Sequence, residues 1–384
     1  MSEFIKRITA AVTAMAVTLC GSVTAYSEGE VTGIAKAAIV TEASTGQVLY
    51  EYNSHERLPM ASVTKLMCLL IWAEEMEKGT FNMDTVITAT ARANAMDGSV
   101  IWLNIGEEMP AYDMIRSVVI ASANDACVAV CEYIAGTEEM FVERMNKRAQ
   151  ELGMSDTHYD NCVGFDSDTH YTSAYDTAIL SAAVSEYDCY NEFFNTRLDY
   201  VREGERQTQL LNTNKLMQRY DGIIGGKTGT TDKAGCCLAV WAKRGNMKLC
   251  AVALGCKESE QRFTACTDLL DYGFSGFELY RTAVDSDVLT PVTVTEGLEK
   301  QADIRVKRLN TIVIPKGSSK RIEYTHTVVD SLSAPVQYGE KVGEVRASLD
   351  GEEIFYSDIV TTGEIGELNF FSSLGIILRS LFSM

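Results

Sequence analysis

The chain has 384 residues, 46% of them hydrophobic and 23% charged, which is enough apolar material for a sizeable core and rules out global disorder. Lys and Arg number 34 against 53 Asp and Glu, and the resulting net charge of -19 repels phosphate backbones, so nucleic-acid binding is a poor reading. With 5 Pro, 28 Gly and no solenoid-type repeat, Pro-rich, collagenous and repeat architectures are excluded too, and the length suggests two domains.

In chain order, residues 1–25 read as a secretory signal peptide. Lys6 and Arg7 precede an apolar run from Ile8 to Cys20, shorter than the ~20 residues that span a bilayer, and small residues then lead to Ala25. An exported, extracytoplasmic protein is therefore expected. Residues 33–52 read as two strands around a Gly turn, and Leu58–Lys78 as a helix opened by Pro59 and apolar nearly all round, hence buried. Helices are expected over 110–135 and 137–152, the second stopping at Gly153, then a long polar loop over 155–171 and a helix over 173–186 opened by Ser173. From Cys236 to Lys243 and Lys248 to Gly255 the period changes to two, predicting paired strands, and a helix over 259–273 follows.

This order predicts an α+β catalytic domain over 26–280, an antiparallel sheet with helices packed on it. Beyond Leu279, short Val/Ile/Thr-rich runs separated by turns such as Asp350-Gly351 predict a small all-β domain over 282–362. Over 364–384, Phe370, Phe371, Leu374, Ile377, Leu378, Leu381 and Phe382 share one helical face, with Ile376 on the other, predicting an amphipathic C-terminal helix able to lie in a membrane interface. Arg379 is its only cation, so such binding rests on apolar insertion.

Of the eleven cysteines, ten lie between 68 and 266. An even number in an exported protein invites disulfides, yet most sit inside apolar runs such as Met67-Cys68-Leu69, which favours buried free thiols. Cys and His never occur at zinc-binding spacing, and no cofactor or metal is expected.

Three short motifs carry chemistry. Ser62-Val63-Thr64-Lys65 sets a hydroxyl and an amine one helical turn apart, so a lysine kept neutral by desolvation and a second cation can take the serine's proton. Alone it means little, since such a tetrapeptide arises by chance about once or twice in a chain of this size. Ser122-Ala123-Asn124 follows an apolar stretch in a helical region, and Lys227-Thr228-Gly229 precedes the strand pair, with Gly225 and Gly226 permitting close backbone approach. A phosphate-binding loop is excluded because Asp221 stands where it needs Gly and strand-like alternation follows where it needs a helix.

Taken together and in this order, the motifs resemble those of the penicillin-interacting serine enzymes. Class A β-lactamases share the spacing but carry a Glu in the loop after the second motif, and residues 154–175 contain none. Leu152-Gly153-Met154, Thr157-His158-Tyr159, His170-Tyr171-Thr172-Ser173, Gly225 to Thr231, Ala234-Gly235 and Arg262-Phe263 instead resemble the D-alanyl-D-alanine carboxypeptidases, the low-molecular-mass penicillin-binding proteins. That family often carries a β-rich second domain and an amphipathic anchor. Two departures are Cys162 where the family has Pro and Phe165 where it has Leu, and Thr230 replaces its bulky residue after Lys-Thr-Gly.

The resemblance implies that Ser62 attacks the carbonyl between the two terminal D-alanines of a peptidoglycan stem pentapeptide and forms an acyl-enzyme. Lys65 is the implied base, Ser122 bridges Lys65 and Lys227 and passes a proton to the leaving amine, and Asn124 holds the substrate amide. The backbone N–H groups of Ser62 and Thr230 are the implied oxyanion hole, Lys227, Thr228 and Arg262 are implied to hold the terminal carboxylate, and Gly229 and Thr230 complete the implied substrate-binding set. β-Lactams are the implied inhibitors, acylating Ser62, and the outer face of the cytoplasmic membrane is the implied partner of the C-terminal helix. The alternatives are a class A-like β-lactamase and a catalytically silent wall-binding protein that keeps the fold.

Overall fold

A computed structural model describes residues 33–284 and 289–369. The signal-peptide and C-terminal-helix expectations fall mostly outside these residues. The chain divides into two compact units, one ending at Gly276 and the other beginning at Phe277.

In the first unit, β1 (Ala37–Glu42) and β2 (Val48–Tyr52) form the expected hairpin. A 3₁₀ turn over Ala61–Thr64 leads into helix α1 (Lys65–Glu77), so the helix starts later than Pro59. The cause lies at Ala61, whose φ of 50° is incompatible with a continuous helix from 59 onward. Helix α1 is buried from Lys65 to Ala73, matching its unbroken apolar sequence. Strands β3 (Val86–Thr88) and β4 (Glu108–Pro110) pair next.

The single helix expected over 110–135 is two, α2 (Ala111–Ala121) and α3 (Asn124–Ala135), separated at Ser122 by a left-handed φ of 64°. Helix α4 (Glu138–Glu151) is capped by Thr137. Helix α5 (Ala174–Val184) is capped by Ser173, whose side chain accepts from the Asp176 N–H as a helix-start serine should. A hairpin of β5 (Leu198–Val201) and β6 (Thr208–Leu211) follows.

Strands β7 (Ile223–Thr231), β8 (Gly235–Arg244) and β9 (Met247–Cys256) complete an antiparallel sheet of order β2-β1-β9-β8-β7. Helix α6 (Ser259–Gly276) packs on β9, β8 and β1, and α5 also contacts these strands. The paired strands stand where expected, but not with the period of two that predicted them: β8 and β9 are nearly continuous buried runs, because helices cover them. The third motif lies inside β7, an edge strand, whereas the sequence placed it ahead of the strands. Its Gly- and Thr-rich run hides the alternation that marks a strand.

The second unit is all-β. β10 (Phe277–Arg281), β11 (Val292–Thr295), β12 (Gln301–Ala302), β13 (Ile304–Val306), β14 (Thr311–Pro315), β15 (Ile322–Val328), β16 (Ser331–Ser333), β17 (Lys341–Leu349) and β18 (Glu352–Thr361) form sheets of order β13-β18-β17-β15, β12-β11-β16 and β10-β14. The predicted Asp350-Gly351 turn joins β17 to β18, with Leu349 opposite Glu352. Its core gathers Val292, Ile304, Val342, Val345, Phe355 and Ile359.

Candidate active site

The 3₁₀ turn ahead of α1 presents Ser62, and the first residue of α1 is Lys65, fully buried. Lys65 Nζ lies 2.8 Å from Ser62 Oγ, 2.7 Å from Asn124 Oδ1 and 2.8 Å from the Val163 carbonyl oxygen. Ser62 Oγ also donates to the Val163 carbonyl oxygen at 3.3 Å; since Asn124 and Val163 can only accept here, a neutral amine can spend two N–H bonds on them and offer its lone pair to the Ser62 hydroxyl. Asn124 is held in this sense because its Nδ2 donates to Asp97 O at 2.6 Å. Burial lowers the Lys65 pKa, favouring that neutral form.

Two close approaches hold the serine turn. Gly229 of β7 sits where a Cβ would lie 2.7 Å from Met60 O and 3.0 Å from Ser62 N, so only glycine lets the edge strand run beside the turn. Gly164 has φ +95° and a Cβ there would fall 1.9 Å from Ala61 O. Asn161 Oδ1 gathers the N–H groups of Val163, Gly164 and Phe165 and fixes the loop that delivers the Val163 carbonyl. Behind the turn, the Asp160 N–H donates to His170 Nδ1, leaving His170 Nε2 to donate to Thr64 Oγ1, which itself donates to Ala61 O.

Lys227 is buried, and its Nζ donates to Thr228 O at 2.8 Å. Desolvation pushes its pKa well down, and the Lys65 and Arg262 charges push the same way. Thr228 Oγ1 donates to Thr213 Oγ1, and Thr230 Oγ1 to Gly229 O. Arg262, in the first turn of α6, is 8% exposed, and its Nη1 donates to Gly229 O and Thr230 Oγ1. It is therefore no surface ion pair but a prop under the C-terminal end of β7.

Ser122 departs from expectation. Its Oγ is buried without a hydrogen-bond partner, and the expected bridge between Lys65 and Lys227 is not formed. The reason is local: Lys65 spends its bonds on Ser62, Asn124 and Val163, and Lys227 turns to its neighbouring carbonyl. Ser122 nevertheless keeps a left-handed backbone at the break between α2 and α3, an uncommon conformation for serine.

Sequence reasoning missed the Val163 carbonyl, Thr213 and His170. The signal for the first was present, since Asn161 followed three residues on by Gly164 is a turn signature. Among the described residues, Cys68, Cys127 and Cys131 form a buried thiol cluster that their sequence spacing did not reveal. The ten described cysteines are free, and all but Cys189 are buried.

With this geometry in place, residues 23–258 match a family described as D-alanyl-D-alanine carboxypeptidase. Residues 277–367 match the C-terminal domain of penicillin-binding protein 5. The chain is 36% identical over 342 residues to D-alanyl-D-alanine carboxypeptidase DacF of Bacillus subtilis, covering 88% of each chain. It is 31% identical over 361 residues to DacA of Escherichia coli, covering 91% of this chain and 88% of that one. The structure is similar to penicillin binding protein 5 from Haemophilus influenzae, with TM-score 0.77 and 27% identity over 87% of this chain and 98% of that one.

Proposed function

The chain belongs to the D-alanyl-D-alanine carboxypeptidases, and from that premise we propose that Ser62, Lys65, Ser122, Asn124 and Lys227 are the residues that perform its reaction. The activity itself follows from the family: a serine D-Ala-D-Ala carboxypeptidase that removes the terminal D-alanine of peptidoglycan stem pentapeptides through an acyl-enzyme and binds β-lactams.

The observation that carries the assignment is the 2.8 Å contact of a fully buried Lys65 with Ser62. Lys65 accepts the Ser62 proton as Oγ attacks the scissile carbonyl, and the ammonium so formed finds three acceptors already in place. The backbone N–H groups of Ser62 and Thr230 face the developing oxyanion, each worth about 3 kcal/mol. The Ser122 hydroxyl hands its proton to the departing D-alanine amine and takes one back from the Lys65 ammonium, which returns Lys65 to the neutral form. As the substrate extends along the open edge of β7, its amide meets Asn124 and its carboxylate meets the hydroxyls of Thr228 and Thr230 at Gly229, with Arg262 behind them. Water then cleaves the ester.

Export by residues 1–25 and attachment to the outer face of the membrane by residues 364–384 belong to the same reading, because the substrate lies outside the cytoplasmic membrane. Incubation with labelled penicillin tests the assignment: an adduct forms on the wild type and is lost in Ser62→Ala. No adduct, or one that survives the substitution, overturns it.

A further inference from the structure

Trp102 is displayed against two separate costs. Its indole is 69% exposed, and its backbone holds a left-handed φ of 56°. The flanking Ile101 and Leu103 are buried, and the N–H groups of both donate to the buried carboxylate of Asp125, the residue after Asn124. From the other side, Arg202 Nη1 donates to Ile101 O at 2.7 Å and Arg206 Nη2 to Trp102 O at 2.8 Å, and Glu107 ties the two guanidinium groups together. Arg202 is itself at φ 64°. So much fixed hydrogen bonding around one exposed ring describes a platform, since a merely structural tryptophan would be turned inward.

The platform is joined to the catalytic centre through the main chain. Asn124 N donates to Ser99 O at 2.6 Å, and Trp102 stands three residues further along, at most ~10 Å of chain away. Beside the indole is a cavity of about 220 Å³ lined by Trp102, Arg202, Glu205, Arg206, Gln207 and Thr208. Its wall offers an apolar face, guanidinium groups and, in Glu205, a carboxylate with no ion pair among the described residues. An aliphatic chain ending in both charges fits this lining better than a chain ending in one.

Resting on the carboxypeptidase reading, we propose that this cavity is the subsite for the stem-peptide residue two places before the departing D-alanine. It selects a diamino acid whose side chain ends in an ammonium and a carboxylate over one that ends in an ammonium alone. The chain of that residue lies on Trp102, its ammonium at Glu205 and its carboxylate at the Arg202–Arg206 edge.

The test is D-alanine release, as kcat/KM, from three peptides that differ only at this residue: diaminopimelate, lysine or alanine. The wild type favours diaminopimelate over lysine by about tenfold, a difference of roughly 1.4 kcal/mol. Trp102→Ala loses that preference while the alanine peptide and penicillin acylation stay within about twofold of wild type, Trp102→Phe restores most of it, and Glu205→Gln weakens both charged peptides. The proposal is overturned if the wild type does not discriminate, or if Trp102→Ala affects all three peptides equally or none. Release from no peptide, together with failure of penicillin to acylate Ser62, overturns the carboxypeptidase reading as well. Penicillin acylation with normal release but no preference overturns the subsite alone.

Discussion

Substituting Gly164 by Ala separates the geometry of the serine turn from general stability. The added Cβ lies 1.9 Å from Ala61 O and 2.8 Å from Ser62 N, so relief to an ordinary contact of 3.4 Å parts the two backbones by about 1.5 Å. The left-handed φ costs roughly 1–2 kcal/mol and the forced displacement roughly 1–3. A loss of about 3 kcal/mol lowers the unfolding midpoint of a unit this size by roughly 6–12 °C. Because the displaced atoms carry Ser62 and the Val163 carbonyl that Lys65 uses, and a misplacement of ~1 Å costs about 100-fold, acylation by penicillin falls by at least that factor below the midpoint. Gly153→Ala is the control: it has φ +77° and nothing within 4 Å, so it pays only the backbone term and keeps its rate. Differential scanning calorimetry and the acylation rate are measured on both. If Gly164→Ala acylates at the wild-type rate, or Gly153→Ala loses activity equally, the argued closeness of loop and turn is wrong.

Three further outcomes follow from burial. Lys65 has a pKa lowered by desolvation, so between that lowered value and 10.5 the unfolded chain holds a proton that the folded chain has released. Stability of the wild type relative to Lys65→Met therefore rises with pH through this window, and denaturant unfolding showing a fall would refute the neutral amine. Burial brings His170 down to about 4, so as pH falls from 6.5 to 4 the unfolded chain gains a proton the folded chain refuses, costing up to about 3 kcal/mol. His170→Gln removes this share of the acid loss, and equal pH slopes for the two proteins in urea unfolding would count against it. Cys189 is the exposed one among the described cysteines, with its thiol pushed up to about 11, so a maleimide labels it slowly but ahead of the rest and Cys189→Ser abolishes that first phase in a mass spectrum.

How far the sequence disclosed this site depends on which force shaped each element. Helix α1 and strands β8 and β9 were legible because burial leaves an apolar signature, and Ser173 was legible because a cap has fixed chemistry. The break at Ser122 was marked only weakly: Ser122 and Asn124 favour caps and turns, but the apolar residues on either side continue a helical pattern and the left-handed serine between them leaves no further sign. Strand β7 was not legible, because its Gly and Thr serve the approach to Met60 and Ser62 and so erase its period. The motif residues were found as types at spacings, but their mutual bonds were not. The Val163 carbonyl entered the site as a main-chain atom, which carries no residue identity to read.

The charge of the site now has a physical division of labour. Lys65, Lys227 and Arg262 are buried, and among the described residues none of them forms an ion pair with a carboxylate. Unpaired buried charge is costly, and burial accordingly lowers the pKa of both lysines toward the uncharged form. Arginine cannot follow, because its guanidinium stays protonated throughout the accessible range. On the proposed reading Arg262 is then the cation behind Gly229 and Thr230, and the arriving terminal carboxylate supplies the counter-charge it lacks. That pairing reconciles a net charge of -19 with an anionic substrate. The attraction is local, it is strongest where water is excluded, and it leaves Lys65 free to act on Ser62 as a base.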